Sequence, residues 1–284
     1  MIIKIIKKLI PVFIKNFLRR VESFLTWDPW INHSYSQEGE DIVLKRIFEN
    51  KIGFFDQEDG WNLVVNDLLD IHLDTNKRFP NIPKILLGHS MGSWIGLSAL
   101  QQKNLFDAAM LSGSSYPNSS ETFIQKLLLK IEKLRLGKYG YSRLLHRIIF
   151  GGFNGKFQNT NSPNDWLSQD SERVENYTND PLCGFVVTNQ LWSDVIEGIQ
   201  SVFNQKNLSL INKNIPILVF SGSHDPVGAM GKGTRKLHEC LIENECKSEL
   251  YLVDGARHET LNETNRLTTY NHVLKFLINH LKGA

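Results

Sequence analysis

Four short apolar runs punctuate the chain, Lys84–Leu87, Ala108–Leu111, Ile217–Phe220 and Glu249–Val253, and each stops at a Gly, Ser or Asp. Runs of this length closed by turn residues predict buried strands. Between them the period changes. Trp61–Lys77 sets Leu63, Val64, Asp67, Leu68 and Ile71 on one helical face. Ser93–Gln101 follows the first strand, Thr234–Asn244 follows the third, and Thr269–Leu281 closes the chain. Strand and helix in alternation predict an α/β fold with a partial parallel sheet of about four strands.

The second and third strands are separated by about a hundred residues without a strand pattern, which predicts a helical cap insertion at about 114–208. Within it Phe123, Leu127, Ile131 and Leu134 make an apolar stripe flanked by Lys126, Lys130, Lys133 and Arg135. An aromatic-rich run follows, with Phe150, Phe153, Phe157, Trp166, Phe185 and Trp192. Two readings fit both features: packing of a helical subdomain, or a cap whose apolar underside receives an acyl chain. No internal repeat or low-complexity tract is visible.

The first 52 residues carry helical patterns and no run of strands, and predict a helical N-terminal extension to a domain at 53–284. Residues 1–24 hold six basic residues against Glu22, interleaved with Ile, Leu, Val and Phe. The longest uncharged stretch after Lys8, Leu9 to Ile14, is too short for a membrane span or a signal-peptide core. Pro11 also divides the helix. The segment reads either as a helix in peripheral contact with an anionic membrane or as one packed on its own domain. The whole chain has 32 Lys and Arg against 30 Asp and Glu, so charge gives no reason to expect nucleic acid. Three scattered cysteines, Cys183, Cys240 and Cys246, fit a reduced, cytoplasmic setting and form neither a disulfide framework nor a metal motif. No cofactor is implied.

Three strand ends carry residues with chemistry. The first runs into Gly88-His89-Ser90-Met91-Gly92, a G-x-S-x-G sequence opening a helix. A turn this tight strains the backbone of Ser90, presents its hydroxyl at the carboxyl end of the sheet, and calls for glycine where a side chain would clash. The N–H of Met91 then faces the same spot as one oxyanion donor. A serine hydroxyl needs a histidine to take its proton, and that histidine needs a carboxylate. Asp225 follows the third strand and His258 the fourth, 135 residues after Ser90 and 33 after Asp225. Taken singly, Asp225 could be a turn residue before Pro226 and His258 a loop histidine. Three such residues in this order at three strand ends point to Ser90 as nucleophile, His258 as base and Asp225 as its partner. His89 and His224 read as structural neighbours.

From about Gly53 to the C-terminus the chain resembles the lysophospholipase and monoacylglycerol lipase branch of the α/β-hydrolases, the serine aminopeptidase-like group. The matching segments are Gly53-Phe54-Phe55 with Asp59-Gly60-Trp61, the turn at Ser90, Asp165-Trp166-Leu167, Asp180-Pro181-Leu182-Cys183-Gly184-Phe185, and Arg257-His258-Glu259 with Leu261-Asn262-Glu263. The resemblance implies hydrolysis of a lipid-like carboxylic ester through an acyl-enzyme on Ser90. It also implies four further strands before Trp61, with a His-Gly loop giving the second oxyanion donor. This sequence has no His-Gly dipeptide, so that donor is expected to be missing. Tyr35-Ser36-Gln37-Glu38-Gly39-Glu40-Asp41-Ile42 onward, to about residue 55, resembles the entry of FkbM-type methyltransferases without their cofactor-binding loop. Two expectations follow. The chain is a working serine esterase, or a non-catalytic fusion or deletion product that keeps the three residues. Without preceding strands, Lys84–Leu87 is also expected to form an exposed sheet edge open to self-association.

Overall fold

The computed structural model describes residues 59–281. The expectations for the basic segment 1–24, the methyltransferase-like segment, Gly53-Phe54-Phe55 and the second oxyanion donor all lie outside the described residues.

Four parallel strands form one sheet in the order β1 (Ile85–His89), β2 (Ala108–Ser112), β3 (Pro216–Gly222) and β4 (Lys247–Val253). Each begins or ends within two residues of the apolar run that predicts it. Helix α1 (Gly60–Arg78) precedes β1, α2 (Met91–Gln102) joins β1 to β2, and five helices fill the insertion. These are α3 (Ser119–Leu136), α4 (Arg143–Asn154), α5 (Ser171–Asn179), α6 (Asn189–Val202) and the short α7 (Gln205–Leu208). After β3 comes α8 (Lys232–Glu243), and after β4 comes α9 (Arg266–Leu281).

Strand residues alternate between two cores, as the period of two requires. Ala109, Leu111, Ile217 and Val219 face Val65 and Leu69 of α1, Ile95 and Leu97 of α2, and Leu237 and Leu241 of α8. Ala108, Met110, Leu218 and Phe220 face the other way, onto Phe276 of α9. β1 is the end strand of the sheet among the described residues. Its Leu86 is buried in the first core, whereas Ile85 and Leu87 on its other face are 38% and 50% exposed.

Helix α1 is turned from the face its sequence suggests. Trp61, Val65, Leu69 and His72 are buried, while Leu63, Val64, Leu68 and Ile71 are only half-buried. The large indole decides the rotation, because it packs toward α2 and donates to Ser98 Oγ at 3.3 Å. The insertion helices are specified locally. Asn118, Ser142, Asp170 and Thr188 cap α3, α4, α5 and α6, each accepting a backbone N–H of the first turn. The stripe of α3 departs from the packing reading. Phe123, Leu127, Ile131 and Leu134 are 50–82% exposed, while the opposite face buries Leu129 and Glu132.

Candidate active site

Strand β1 ends at His89 and helix α2 begins at Met91, which leaves one residue, Ser90, to reverse the chain. Its backbone stands at φ 51°, ψ −122°, a region that side-chain-bearing residues rarely occupy. Three hydrogen bonds hold it there. Ser90 N–H donates to Ser112 O at 2.9 Å, and Ser90 O accepts from Ser93 N at 2.9 Å and Ser93 Oγ at 2.5 Å. The flanking glycines differ in need. A Cβ at Gly88 would lie 2.5 Å from Gly92 O, whereas one at Gly92 would meet nothing within 4 Å. Only Gly88 is dictated by the clash expected of both. The N–H of Met91 heads α2, at the helix end where donors lack intrahelical partners.

Asp225 and His258 lie just past β3 and β4, and both are almost wholly buried. His258 Nδ1 stands 3.0 Å and 3.1 Å from the two carboxylate oxygens of Asp225. The carboxylate also accepts from Ser221 Oγ at 2.5 Å and from Val227 N–H at 2.8 Å. Burial pushes the Asp225 carboxyl upward. The charge of His258 and the hydrogen bonds from His258, Ser221 and Val227 outweigh it and hold the group below its usual range. For His258 burial works downward, and the Asp225 charge and hydrogen bond overcome it, so the imidazole stands above its usual value. A carboxylate fixed at Nδ1 makes that nitrogen the donor and leaves Nε2 as the basic position.

Ser90 and His258 are brought to the same strand end. Ser112, which accepts from the Ser90 N–H, is followed by Gly113 at φ 57°. A Cβ on Gly113 would stand 2.8 Å from His258 Cε1 and 3.0 Å from His89 Cε1, so the absent side chain makes room for both imidazoles. No hydrogen bond joins Ser90 to His258 among the described residues.

Two rings bear on His258. His89 lies 4.8 Å away, centroid to centroid, with its Nδ1 3.2 Å from Ser112 Oγ. Burial, and next the charge of His258, push His89 down to about 3, so it is neutral at physiological pH. Trp166 of the insertion lies 5.1 Å away and leads into an aromatic cluster with Phe150 and Phe153. Sequence reasoning leaves Trp166 between packing and an acyl-receiving cap and overlooks Ser221 and Gly113. The signal for those two was the small residues Ser112-Gly113 and Ser221-Gly222 at strand ends, where bulk would collide with a site. His224 makes a backbone hydrogen bond to Ala256 O at 2.9 Å and no contact with His258 is seen. Among the described residues no cluster of His, Cys, Asp or Glu could hold a metal ion, and no helix is long and apolar enough to cross a membrane.

Comparison with known proteins finds one family model and several related hydrolases. Residues 54–265 match the serine aminopeptidase S33 family of hydrolases. A monoglyceride lipase homolog of monkeypox virus is 24% identical over 218 residues, covering 74% of this chain and 67% of that protein. A lipase solved in its open form is 25% identical with a TM-score of 0.69, covering 78% of this chain and 73% of its own. A thermostable carboxyl esterase from Bacillus coagulans, solved with glycerol, shares the fold at 22% identity and a TM-score of 0.65. That match covers 77% of this chain and 70% of the esterase.

Proposed function

Since the chain belongs to the serine aminopeptidase S33 family of hydrolases, we propose that it cleaves carboxylic esters of monoacylglycerol or lysophospholipid type through an acyl-enzyme on Ser90. The observation that carries this reading is the buried Asp225–His258 pair at the strand end that also anchors Ser90. In the first step Ser90 Oγ bonds to the ester carbonyl carbon while His258 Nε2 takes its proton. The carbonyl oxygen becomes an oxyanion that the Met91 N–H stabilises. Collapse breaks the bond to the alcohol oxygen, which leaves with the proton from His258. Water then attacks the acyl-enzyme with His258 again as base, releasing the fatty acid and restoring the Ser90 hydroxyl. Asp225 keeps Nδ1–H pointed at itself and stabilises the imidazolium in both steps.

The lipid-like substrate is supported by the lipase relatives and by Trp166, whose ring stands beside His258 and packs against Phe150 and Phe153. A second reading, in which the chain keeps these residues without turnover, rests on β1 as an end strand with Ile85 and Leu87 exposed among the described residues.

The test pairs labelling with turnover. A fluorophosphonate should label wild type once and leave Ser90→Ala unlabelled. Monoacylglycerol hydrolysis should fall by about 10⁴-fold or more in the variant. Equal turnover by Ser90→Ala would overturn the serine mechanism, and labelling of wild type without turnover would select the second reading.

A further inference from the structure

Two segments that are far apart in the chain meet around His258. One is Asp165–Gln169, the stretch of the insertion that carries Trp166. The other is Gly255–Glu263, the loop that carries His258. At their junction stands Glu263, a carboxylate with no exposed surface. Its Oε1 accepts Arg257 N–H at 2.8 Å, and its Oε2 accepts Gln169 N–H at 3.0 Å and Thr264 N–H at 3.2 Å. No ion pair to Glu263 is present among the described residues. A buried carboxylate without a counter-ion is costly to desolvate, and here three backbone N–H groups from both segments compensate it.

Further bonds run across the same seam. Glu259 N–H donates to Leu167 O at 2.8 Å, Ser168 Oγ to Asn262 O at 3.1 Å, and Gln169 Nε2 to Gly255 O at 2.6 Å. The Arg257 guanidinium donates to Ser168 O at 3.2 Å and to Asp165 O. Between these ties Trp166, 5% exposed, presents its ring 5.1 Å from that of His258. The seam thus fixes the indole against the imidazole at a set distance.

We propose that Glu263 is a positioning residue. It holds the Trp166 segment on the His258 loop, so that Trp166 keeps the imidazole seated on Asp225 while its Nε2 gives and takes protons. The inference rests on reading His258 as the general base. An acceptor with two oxygens is required. Glutamine would present an NH₂ group either to Arg257 N–H or to the Gln169 and Thr264 N–H pair, and two donors would face each other. Aspartate, one methylene shorter, cannot span both segments.

The experiment uses the full chain carrying Glu263→Gln. Displacing a catalytic group by about 1 Å costs up to about 10²-fold in rate. We expect kcat and the rate of fluorophosphonate labelling to fall by about that factor, with KM within about threefold of wild type. A second readout is independent of turnover. A charged imidazolium quenches an indole packed on it, so the emission of wild type minus that of Trp166→Phe should titrate with His258. In Glu263→Gln the amplitude of that titration should shrink to less than half. A folded Glu263→Gln with wild-type kcat and full titration amplitude, whatever its melting temperature, would overturn the proposal. If Glu263→Gln does not fold, Trp166→Leu carries the test, with a loss of kcat expected and wild-type kcat overturning it. Failure of the serine mechanism itself would show in Ser90→Ala and leaves the emission titration readable.

Discussion

The start and the middle of the insertion between β2 and β3 are fastened by different means. Around Trp166 the chain is tied down by hydrogen bonds to the His258 loop, through Glu263, Arg257 and Ser168. Helix α3 turns its most apolar face to solvent, with Phe123 70% and Leu134 82% exposed. What anchors α3 is its opposite face, where Leu129 packs with Leu145 and Ile196, Asn189 Nδ2 donates to Glu132 O at 3.2 Å, and the buried Glu132 carboxylate accepts from Ser142 Oγ at 2.5 Å. In both places a buried carboxylate gathers donors, at Glu263 from two loops distant in sequence and at Glu132 from its own helix and the cap of α4. The most apolar stripe of a helix therefore does not mark the face by which it is fastened.

A pH series should separate the two regions most strongly. Under the proposed mechanism only neutral His258 serves as base, and its folded pKa lies above the ordinary 6.5. The acid limb of kcat/KM should therefore have its midpoint above pH 6.5, with activity falling about tenfold per unit below it. The stability contributed by this raised imidazole runs the other way. It is fully present below 6.5 and lost as pH rises through the folded pKa. On the α3 side the hydrogen bonds of Arg135 and then Ser142 pull Glu132 down to about 2, against an ordinary 4.5. Its contribution to stability is present above 4.5 and is lost as pH falls toward 2. Denaturant melts across both windows would break the comparison if Glu132→Gln left the acid window unchanged.

Substitutions should follow the same division. Leu167, 3% exposed beside Trp166, lies in the fastened segment, and Leu167→Ala should lower stability by about 2–5 kcal/mol in urea melts. On α3, Phe123→Ser and Leu134→Ser should change stability by no more than about 0.5 kcal/mol and leave monoacylglycerol turnover unaltered. A loss above 2 kcal/mol in either would show that the stripe is packed in solution.

Much of the described fold is legible in the chain because the strands are short, apolar and closed by small or acidic residues. Ser90, Asp225 and His258 were found by their places after strands. The contact of Asp225 with His258 follows from that placement, since β3 and β4 are neighbours in the sheet. The seam at Glu263 was not legible as a contact. Trp166 and Glu263 both fall in segments with a family resemblance, but nothing in the spacing says that two loops so distant in sequence touch. The outward turn of the α3 stripe was hidden for another reason. Periodicity identifies an apolar face without saying which side of the helix the rest of the molecule occupies. Here the small buried side, Leu129 and Glu132, decides.

The backbone of Ser90 has a consequence for the history of such a chain. At φ 51°, ψ −122° glycine would be the more comfortable tenant, and an L side chain there costs on the order of 1–3 kcal/mol. Stability alone therefore favours erasing the hydroxyl. Once turnover ceases to matter to the organism, drift toward glycine at this position carries no penalty from the fold. A serine retained there weighs toward recent use of its hydroxyl, and a glycine in a sister sequence would mark a lineage in which that use has ended.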